Sequence, residues 1–336
     1  MVLVTGSTGL VGGHLLIHLY LKNESVRALI RKSSNFNQLK LIAGYYGLEW
    51  SVIEEAVEWV YGDMKDEYSI RKACEKVHTV YHCAAVVSFD STDREVLSDI
   101  NVKGTEYICK AALEEGVSRF CMVSSIAAIG PCRSGQDEAD ESCVKTKADA
   151  GSDYSVSKYQ SEEIVWEYIG KGLPAVIVNP GVIIGAGLLD RGSMKIYETV
   201  KKGIPFYTDG GTGYVDVRDV IEIMMRLTAL NISGERFILV SRNATYGELF
   251  FDIADAMALR RPFIRLGKSV LNLIGGVSYV IQVCSGRKLK YTREVLLAAL
   301  NRKYYSSDKI KNLLHYEFIP LRKSVEDIAR WLDRTE

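Results

Sequence analysis

The chain has 336 residues, of which 47% are hydrophobic and 25% are charged, as in ordinary globular proteins and unlike disordered or membrane-embedded ones. Its 42 basic and 42 acidic residues balance, so no overall field favours nucleic acid or an anionic membrane, and we expect a small-molecule partner at a local site. The seven cysteines form no Cys-x-x-Cys pair and the five histidines lack a completing ligand pattern. We therefore expect free thiols in a reducing cytoplasm and no metal site.

Short apolar runs rich in β-branched residues alternate with segments of helical spacing along the first half of the chain. The predicted strands cover residues 1–5, 25–30, 58–63, 79–85, 119–125 and 174–180. The predicted helices between them cover residues 12–23, 67–77, 101–116 and 154–172. Buried parallel strands form continuous apolar runs and are joined by helical crossovers. The pattern therefore predicts an α/β fold with a Rossmann-type doubly wound parallel sheet.

After about residue 180, glycine-rich segments precede one more predicted strand, 236–241, and a tail with predicted helices at 245–261, 292–303 and 323–334. This change predicts a smaller, interleaved C-terminal substrate domain. We assign residues 1–178, with a return segment at about 215–242, to the dinucleotide-binding domain. Residues 179–214 and 243–336 then form the substrate domain.

Two segments bear on location. The first residues, "MVLVTG", already have the pattern of a strand and a turn, so we expect no signal peptide and a cytoplasmic protein. The stretch 270–284 is nearly uncharged, which raises membrane contact as an alternative. It is shorter than the roughly 20 apolar residues that a span needs and contains Asn272, Gln282 and a Gly-Gly pair. We interpret it as a packed helix or a wall of the substrate cleft.

The first predicted strand ends in "TGSTGLVG", with glycines at intervals of three, and a helix follows. Glycines at these places permit a tight turn, a close approach to a pyrophosphate and close packing of helix on strand. The free N–H groups at the helix start then favour an anion. The segment therefore predicts a nicotinamide dinucleotide site, with contacts from Gly6, Thr8, Gly9, Leu10, Val11 and Gly12.

The end of the second predicted strand bears on the choice between NAD and NADP. An NAD site usually has an acidic residue there, roughly 20 residues beyond the glycines, to bind the ribose hydroxyls. Here Ile30 takes that place and Arg31 and Lys32 follow, which suits the 2′-phosphate of NADP in charge and in guanidinium geometry. We predict that NADP(H) is preferred. A solvated basic loop, and use of NAD(H), stay as the alternative.

Tyr154 and Lys158 are four residues apart, on one face of a predicted helix. Ser124 and Ser125 end the fifth predicted strand, at the sheet edge where doubly wound folds bind ligands. A tyrosine titrates near 10, and a neighbouring ammonium and an oxidised nicotinamide both lower that pKa. We predict that Tyr154 exchanges a proton with a substrate hydroxyl or carbonyl, that Lys158 tunes it and holds the nicotinamide ribose, and that Ser125 orients the substrate oxygen.

Seven motifs occur in the order and spacing typical of the extended short-chain dehydrogenase/reductase superfamily, which the chain resembles over residues 1 to about 220. They are "TGSTGLVG", "GD" at 62–63, "HCAA" at 82–85, "NVKGT" at 101–105, "VSS" at 123–125, "YSVSK" at 154–158 and "NPGVIIG" at 179–185. The resemblance makes Ser125, rather than Ser124, the catalytic serine and makes Asn101 a support for the helix behind the site. It further implies that Asp63 and Met64 contact the adenine and that Ala84 and Ala85 line the ribose and nicotinamide of the cofactor. Pro180 and Val182 fall where the chain of the family passes the nicotinamide.

The resemblance also separates branches of the superfamily. Val182 stands where sugar-nucleotide enzymes have an asparagine that contacts the substrate diphosphate, and Ile126 and Ala127 stand where dehydratases have acids. This favours the dihydroflavonol-reductase or hydroxysteroid-dehydrogenase branch, and so an NADP(H)-dependent oxidoreductase that interconverts a carbonyl and a secondary alcohol on a small apolar substrate. The alternatives are an NAD(P)-dependent sugar-nucleotide epimerase and a non-catalytic dinucleotide-binding protein. Relatives imply a homodimer through the helices of "NVKGT" and "YSVSK".

Overall fold

A seven-stranded parallel sheet forms the centre of the protein, seen in a computed structural model that describes residues 1–132, 135–146, 149, 151–267 and 300–335. Its strand order is β10-β6-β5-β4-β1-β2-β3. The order reverses between β1 and β4, and this is where doubly wound folds bind their ligands. The described strands are β1 (Val2–Thr5), β2 (Val26–Ile30), β3 (Glu58–Tyr61), β4 (Thr79–His82), β5 (Arg119–Val123), β6 (Ala175–Pro180), β7 (Val182–Ile184), β8 (Phe206–Tyr207), β9 (Gly211–Asp216), β10 (Glu235–Leu239), β11 (Arg242–Thr245) and β12 (Ile264–Arg265).

Helices cover both faces of this sheet. Val4 of β1 belongs to the core cluster on one face, with α1 and α9, whereas its neighbour Leu3 belongs to the cluster on the other face, with α4, α6 and α7. Strands with two buried faces explain the continuous apolar runs in the sequence. The described helices are α1 (Leu10–Leu21), α2 (Asn37–Tyr45), α3 (Trp50–Ala56), α4 (Glu67–Cys74), α5 (Arg94–Leu97), α6 (Gly104–Glu114), α7 (Asp153–Gly170), α8 (Met194–Lys201), α9 (Val217–Ala229), α10 (Tyr246–Ala256), α11 (Asp308–Leu314) and α12 (Leu321–Thr335).

A second, smaller sheet lies beyond the carboxyl end of β6, with the order β11-β9-β7. Helices α8, α10 and α12 pack on it around the buried side chains of Tyr197, Tyr214, Leu249 and Val325. The chain segments of this layer come both before and after α9 and β10 in the sequence. Between them, α9 and β10 return to the main sheet. The exact division into two domains stays a prediction.

Several elements differ from the predicted bounds. The predicted helix 101–116 begins as a π-helix, Ser98–Lys103, before it continues as α6. The stretch 270–284 lies outside the described residues, as does most of the predicted helix 292–303. Within the part of the chain that is described, no helix is long and apolar enough to cross a membrane.

Candidate active site

The glycine turn between β1 and α1 is built for close approach. Gly6 has a φ of +66°, and a Cβ there would lie 2.6 Å from the backbone nitrogen of Ala84. A Cβ on Gly12 would lie 2.3 Å from the Gly6 carbonyl oxygen. Gly9 precedes α1 with extended backbone, no side chain caps this helix, and its first turn holds no acidic residue. The N–H groups of the first turn therefore remain available to an anion, which fits the pyrophosphate of a dinucleotide.

The predicted 2′-phosphate residues lie at the end of β2, beside this turn. Arg31 and Lys32 are both exposed. The chain folds back directly after Arg31, because the Ser34 backbone N–H bonds the Arg31 carbonyl at 2.9 Å and the Ser34 hydroxyl accepts from the Arg31 N–H at 3.1 Å. No acidic side chain lies among the described residues of this turn, 31–34. The loop therefore offers cations and a hydroxyl to a phosphate.

The residues implied for the adenine and ribose follow β3 and β4. Asp63 is half-buried and its carboxylate accepts the Lys65 backbone N–H at 3.0 Å, while Met64 is buried against Gly104 of α6. Ala84 and Ala85 are half-buried at the end of β4, next to the glycine turn.

Asn101 joins the loop after β4 to α7. Its side-chain oxygen accepts the Val86 N–H at 2.7 Å, and its amide nitrogen donates to the Val86 carbonyl at 2.9 Å and to the Ser157 hydroxyl at 3.0 Å. Its own carbonyl accepts the Ser161 hydroxyl at 2.6 Å. These contacts fasten the helix that carries Tyr154 to the loop that carries Ala84, which agrees with the predicted supporting role.

The structure brings Ser125, Tyr154 and Lys158 together at the carboxyl edge of the sheet. Tyr154 is 9% exposed and is hydrogen-bonded to Ser125. Lys158 lies one turn further along α7, is buried, and donates from Nζ to the Val123 carbonyl at 2.9 Å. Ser124 instead faces Glu162, to which its hydroxyl donates. Because Ser124 is bound to Glu162 and Ser125 lies beside Tyr154, the geometry favours Ser125 over Ser124 as the serine that orients the substrate.

One electrostatic expectation differs in the structure. The sequence predicts that the Lys158 ammonium lowers the pKa of Tyr154, but burial raises the pKa of Tyr154, and only its hydrogen bond with Ser125 opposes the rise. The phenol is thus the stable form of Tyr154, which suits a group that begins as a proton donor.

Burial also lowers the pKa of Lys158 to about 8, and the charge of Glu162 is the main effect that opposes this shift. A role for Glu162 was not predicted from the sequence. Its spacing could have indicated one, because it follows Lys158 by the same four residues that separate Lys158 from Tyr154. A carboxylate on the buried face of a helix is unusual unless it is paired.

Pro180 and Val182 lie where the chain leaves β6 for the second sheet. Pro180 is the buried last residue of β6, and Val182 is the half-buried first residue of β7. The side-chain amide of Asn179 donates to the Ser125 carbonyl at 3.0 Å, so this crossing is tied to the catalytic serine. Their predicted contact with the nicotinamide stays a prediction.

An apolar rim flanks Tyr154. The Phe89 ring lies edge-on to the Tyr154 ring with centroids 5.7 Å apart, yet the Phe89 side chain is 70% exposed. Val87, two residues earlier, is 64% exposed. Exposed large apolar side chains beside a reactive group are typical of a surface that a ligand covers.

Comparison with known proteins identifies the family of this chain. The model of the NAD dependent epimerase/dehydratase family matches residues 2–239. The chain belongs to this family. The predicted superfamily, the Rossmann-type fold and the class of NAD(P)-dependent oxidoreductase are thereby confirmed. The cofactor of this family member is a nicotinamide dinucleotide.

Individual relatives cover most of the chain. Sterol demethylase protein B of Methylococcus capsulatus is 33% identical over 265 residues, which are 77% of this chain and 75% of the relative. Cinnamoyl-CoA reductase 1 of Arabidopsis thaliana is 25% identical over 257 residues, 74% of this chain and 72% of the relative. The crystal structure of gox2253 superposes with a TM-score of 0.83 at 30% identity and covers 100% of this chain and 98% of that one.

Proposed function

We propose that this family member is an NADP(H)-dependent oxidoreductase that interconverts a carbonyl and a secondary alcohol on a small apolar substrate. The observation that carries the proposal is the Tyr154 phenol, buried, hydrogen-bonded to Ser125 and one helical turn from Lys158. The bound nicotinamide supplies hydride chemistry. The protein's part is to orient the substrate oxygen with Ser125 and to give it the Tyr154 proton, or to take that proton back in the reverse direction.

The preference for NADP(H) is supported by the loop after β2. Arg31, Lys32 and the Ser34 hydroxyl offer charge and hydrogen bonds to a phosphate, and the turn 31–34 holds no carboxylate that would repel it. A carboxylate at this place would instead accept hydrogen bonds from both ribose hydroxyls, as in an NAD site.

The apolar character of the substrate is supported by the rim of Val87 and Phe89. The exposed Phe89 side chain lies against the Tyr154 ring, and Val87, two residues earlier, is exposed as well. Covering them with an apolar or aromatic group contributes roughly 25 cal/mol per Å² of apolar surface removed from water. The similarity to cinnamoyl-CoA reductase 1 supports a reductase reaction, without bearing on the apolar character of the substrate.

A sugar-nucleotide epimerase is the second candidate, because the matching family is named for epimerases and dehydratases. The apolar Val182 speaks against it, since it offers no hydrogen bond to a substrate diphosphate. The two candidates differ in net turnover of the cofactor. An epimerase regenerates its cofactor in each cycle, whereas a reductase consumes it.

The deciding experiment follows NADPH absorbance with a panel of apolar ketones and aldehydes, and with sugar nucleotides in parallel. Net oxidation of NADPH that depends on an apolar carbonyl compound supports the proposal. Conversion of a sugar nucleotide with no change in absorbance would replace it with the epimerase, and saturable NADPH binding without either reaction would indicate a non-catalytic binding protein.

A further inference from the structure

Glu162 is a buried carboxylate that the proposed reaction does not use. It is 2% exposed and follows Lys158 by one turn of α7. Its Oε1 accepts hydrogen bonds from the Ser124 hydroxyl and the Asn179 amide, and its Oε2 lies 3.3 Å from a guanidinium nitrogen of Arg236. Burial raises the pKa of Glu162, and these partners oppose that shift, because every one of them is a donor that favours the ionised carboxylate.

These contacts connect Glu162 to the catalytic groups. Ser124 directly precedes Ser125, and the Asn179 amide that bonds Glu162 also donates to the Ser125 carbonyl at 3.0 Å. On the other side of Ser124, the Val123 carbonyl accepts from Lys158. The end of β5 is therefore held between two residues of α7, Lys158 and Glu162.

Arg236 secures the outer side of this network. It comes from β10, and its guanidinium also donates to the Glu141 carbonyl at 2.6 Å and to the Cys143 carbonyl at 3.2 Å. The ion pair with Glu162 is nearly enclosed, with side chains 11% and 3% exposed. Such a pair is costly to bury, and the hydrogen bonds of Glu162 with Ser124 and Asn179 offset part of that cost.

Glu162 is the counter-charge of Lys158, because the other titratable groups that face Lys158 are neutral or positively charged. From β4 and the residue after it come His82, whose pKa burial lowers to about 3, and the Cys83 thiol, whose pKa burial raises to about 12. Both are therefore neutral near pH 7, as is the Tyr154 phenol, and Arg236 adds a further cation beyond Glu162. Among the described residues, Glu162 is the one carboxylate whose charge acts on Lys158.

We propose that Glu162 is a positioning residue that keeps Lys158 in its ammonium form and fixes Ser125 in place beside Tyr154. The proposal rests on the proposed function for its kinetic consequence, but the effect on Lys158 is a property of the protein alone. Lys158 must carry its charge to stabilise the Tyr154 phenolate that remains after proton transfer. Glu162 thus acts on the reaction through Lys158 and Ser124, without contact with the substrate.

The first experiment measures the titration of Lys158 in the free protein. Protein labelled with ¹³C at lysine Cε is titrated by NMR, and the Lys158 resonance is assigned by its absence in Lys158→Met. Glu162→Gln removes the charge and retains the shape, so we expect the titration midpoint of Lys158 to fall by on the order of one pH unit. Glu162→Asp keeps the charge and should hold the midpoint near that of the unchanged protein.

Glu163→Gln is the matched control, since it makes the same change one residue along α7 at an exposed position. Its Lys158 midpoint should stay where it is. Where Glu162→Gln does not fold, Ser124→Ala removes one donor from the carboxylate and should lower the midpoint in the same direction by less. A midpoint that does not move in either variant overturns the proposal, whatever the substrate proves to be.

The second experiment measures carbonyl reduction against pH. If the Lys158 midpoint falls by about one unit from 8, the fraction of protein with an ammonium there drops little at pH 6 and about fivefold at pH 8. The rate ratio of unchanged protein to Glu162→Gln should therefore grow by about that factor between the two pH values. A loss of equal size at every pH contradicts the role through Lys158. If the unchanged protein reduces no carbonyl compound, the proposed function fails, while the NMR titration still decides the role of Glu162.

Discussion

Lys158 binds the Val123 carbonyl at 2.9 Å through a fully enclosed ammonium, one turn of α7 from Tyr154. Its pKa of about 8 lies below the ordinary 10.5, so the unfolded chain binds more protons than the folded one between these values. Stability should therefore rise with pH across this window, and the penalty below pH 8 is about 3 kcal/mol. The candidate active site thus retains the buried Lys158 ammonium although this charge lowers the stability of the fold.

Lys158→Met should be more stable than the unchanged protein at pH 7, by up to about 3 kcal/mol, because the buried charge is gone. Carbonyl reduction should be lost in the same variant. Urea unfolding at pH 7 and pH 10 measures the first effect, and the difference between the two proteins should shrink at pH 10. Lys40→Met, at an exposed position of α2, is the control and should show no such dependence. A Lys158→Met protein less stable than the unchanged one at pH 7 would contradict this account.

Tyr154→Phe should lower turnover by about 10²- to 10⁴-fold, because it removes the proton donor and keeps the ring that packs on Phe89. The dissociation constant of NADPH, measured by fluorescence titration, should stay roughly unchanged. Tyr159→Phe removes a hydroxyl from the next turn of the same helix and should leave turnover as it was. Retention of more than about a tenth of the activity in Tyr154→Phe would assign the proton donor to another group.

The sequence predicts the main sheet well because its strands are buried on both faces, and the order of strands and helices then limits the topology. It fails at β9, whose first residues, 211–213, belong to a glycine-rich segment in which no strand is predicted. A Cβ on Gly213 would lie 2.5 Å from the Val240 side chain, so this glycine serves close packing within a strand rather than a turn. The local sequence pattern cannot distinguish a glycine in a turn from one packed within a strand. Val240, which leaves no room for a side chain at Gly213, comes from a distant part of the chain.

The same limit applies to the candidate site. The glycine turn and the Tyr154–Lys158 pair follow local spacing rules, so their positions could be predicted. The Glu162 contacts could not, since Asn179 and Arg236 come from β6 and β10, 17 and 74 residues away along the chain. Nor could burial of Tyr154 be judged from sequence, and burial is what reverses the expected direction of its pKa.

Arg31→Ala should weaken NADPH binding by about 10- to 100-fold, since a hydrogen bond to a charged group contributes about 1.5–3 kcal/mol. Binding of NADH, which has no 2′-phosphate, should change little. Isothermal titration calorimetry with both cofactors measures the two constants. Arg71→Ala, at an exposed position of α4, is the matched control. Equal weakening of both cofactors in Arg31→Ala would mean that Arg31 does not bind the 2′-phosphate.

His82 should make the protein sensitive to acid. Its ring nitrogens lie 2.8 Å from the Thr5 hydroxyl and 3.1 Å from the Thr105 hydroxyl, and burial lowers its pKa from 6.5 to about 3. The unfolded chain therefore takes up a proton there that the folded one does not, and stability falls as pH drops from about 6.5 towards 3, by about 1.4 kcal/mol per pH unit. His82→Gln should remove this part of the slope in urea unfolding between pH 4.5 and 6.5. The control variant His315→Gln, at an exposed position, should show the same slope of stability against pH as the unchanged protein.

Gly12→Ala should disrupt the cofactor turn, because the added Cβ would lie 2.3 Å from the Gly6 carbonyl oxygen and 2.8 Å from the Gly6 carbonyl carbon. Relief of that overlap requires movement of the loop that approaches the pyrophosphate, so affinity for NADPH should fall by at least about tenfold and stability by about 1–3 kcal/mol. Gly170→Ala is the matched control, since a Cβ at the end of α7 meets no atom within 4 Å. There alanine should stabilise the helix by up to about 1 kcal/mol without affecting the cofactor. Full NADPH affinity in Gly12→Ala would show that the dinucleotide does not depend on close approach to this turn.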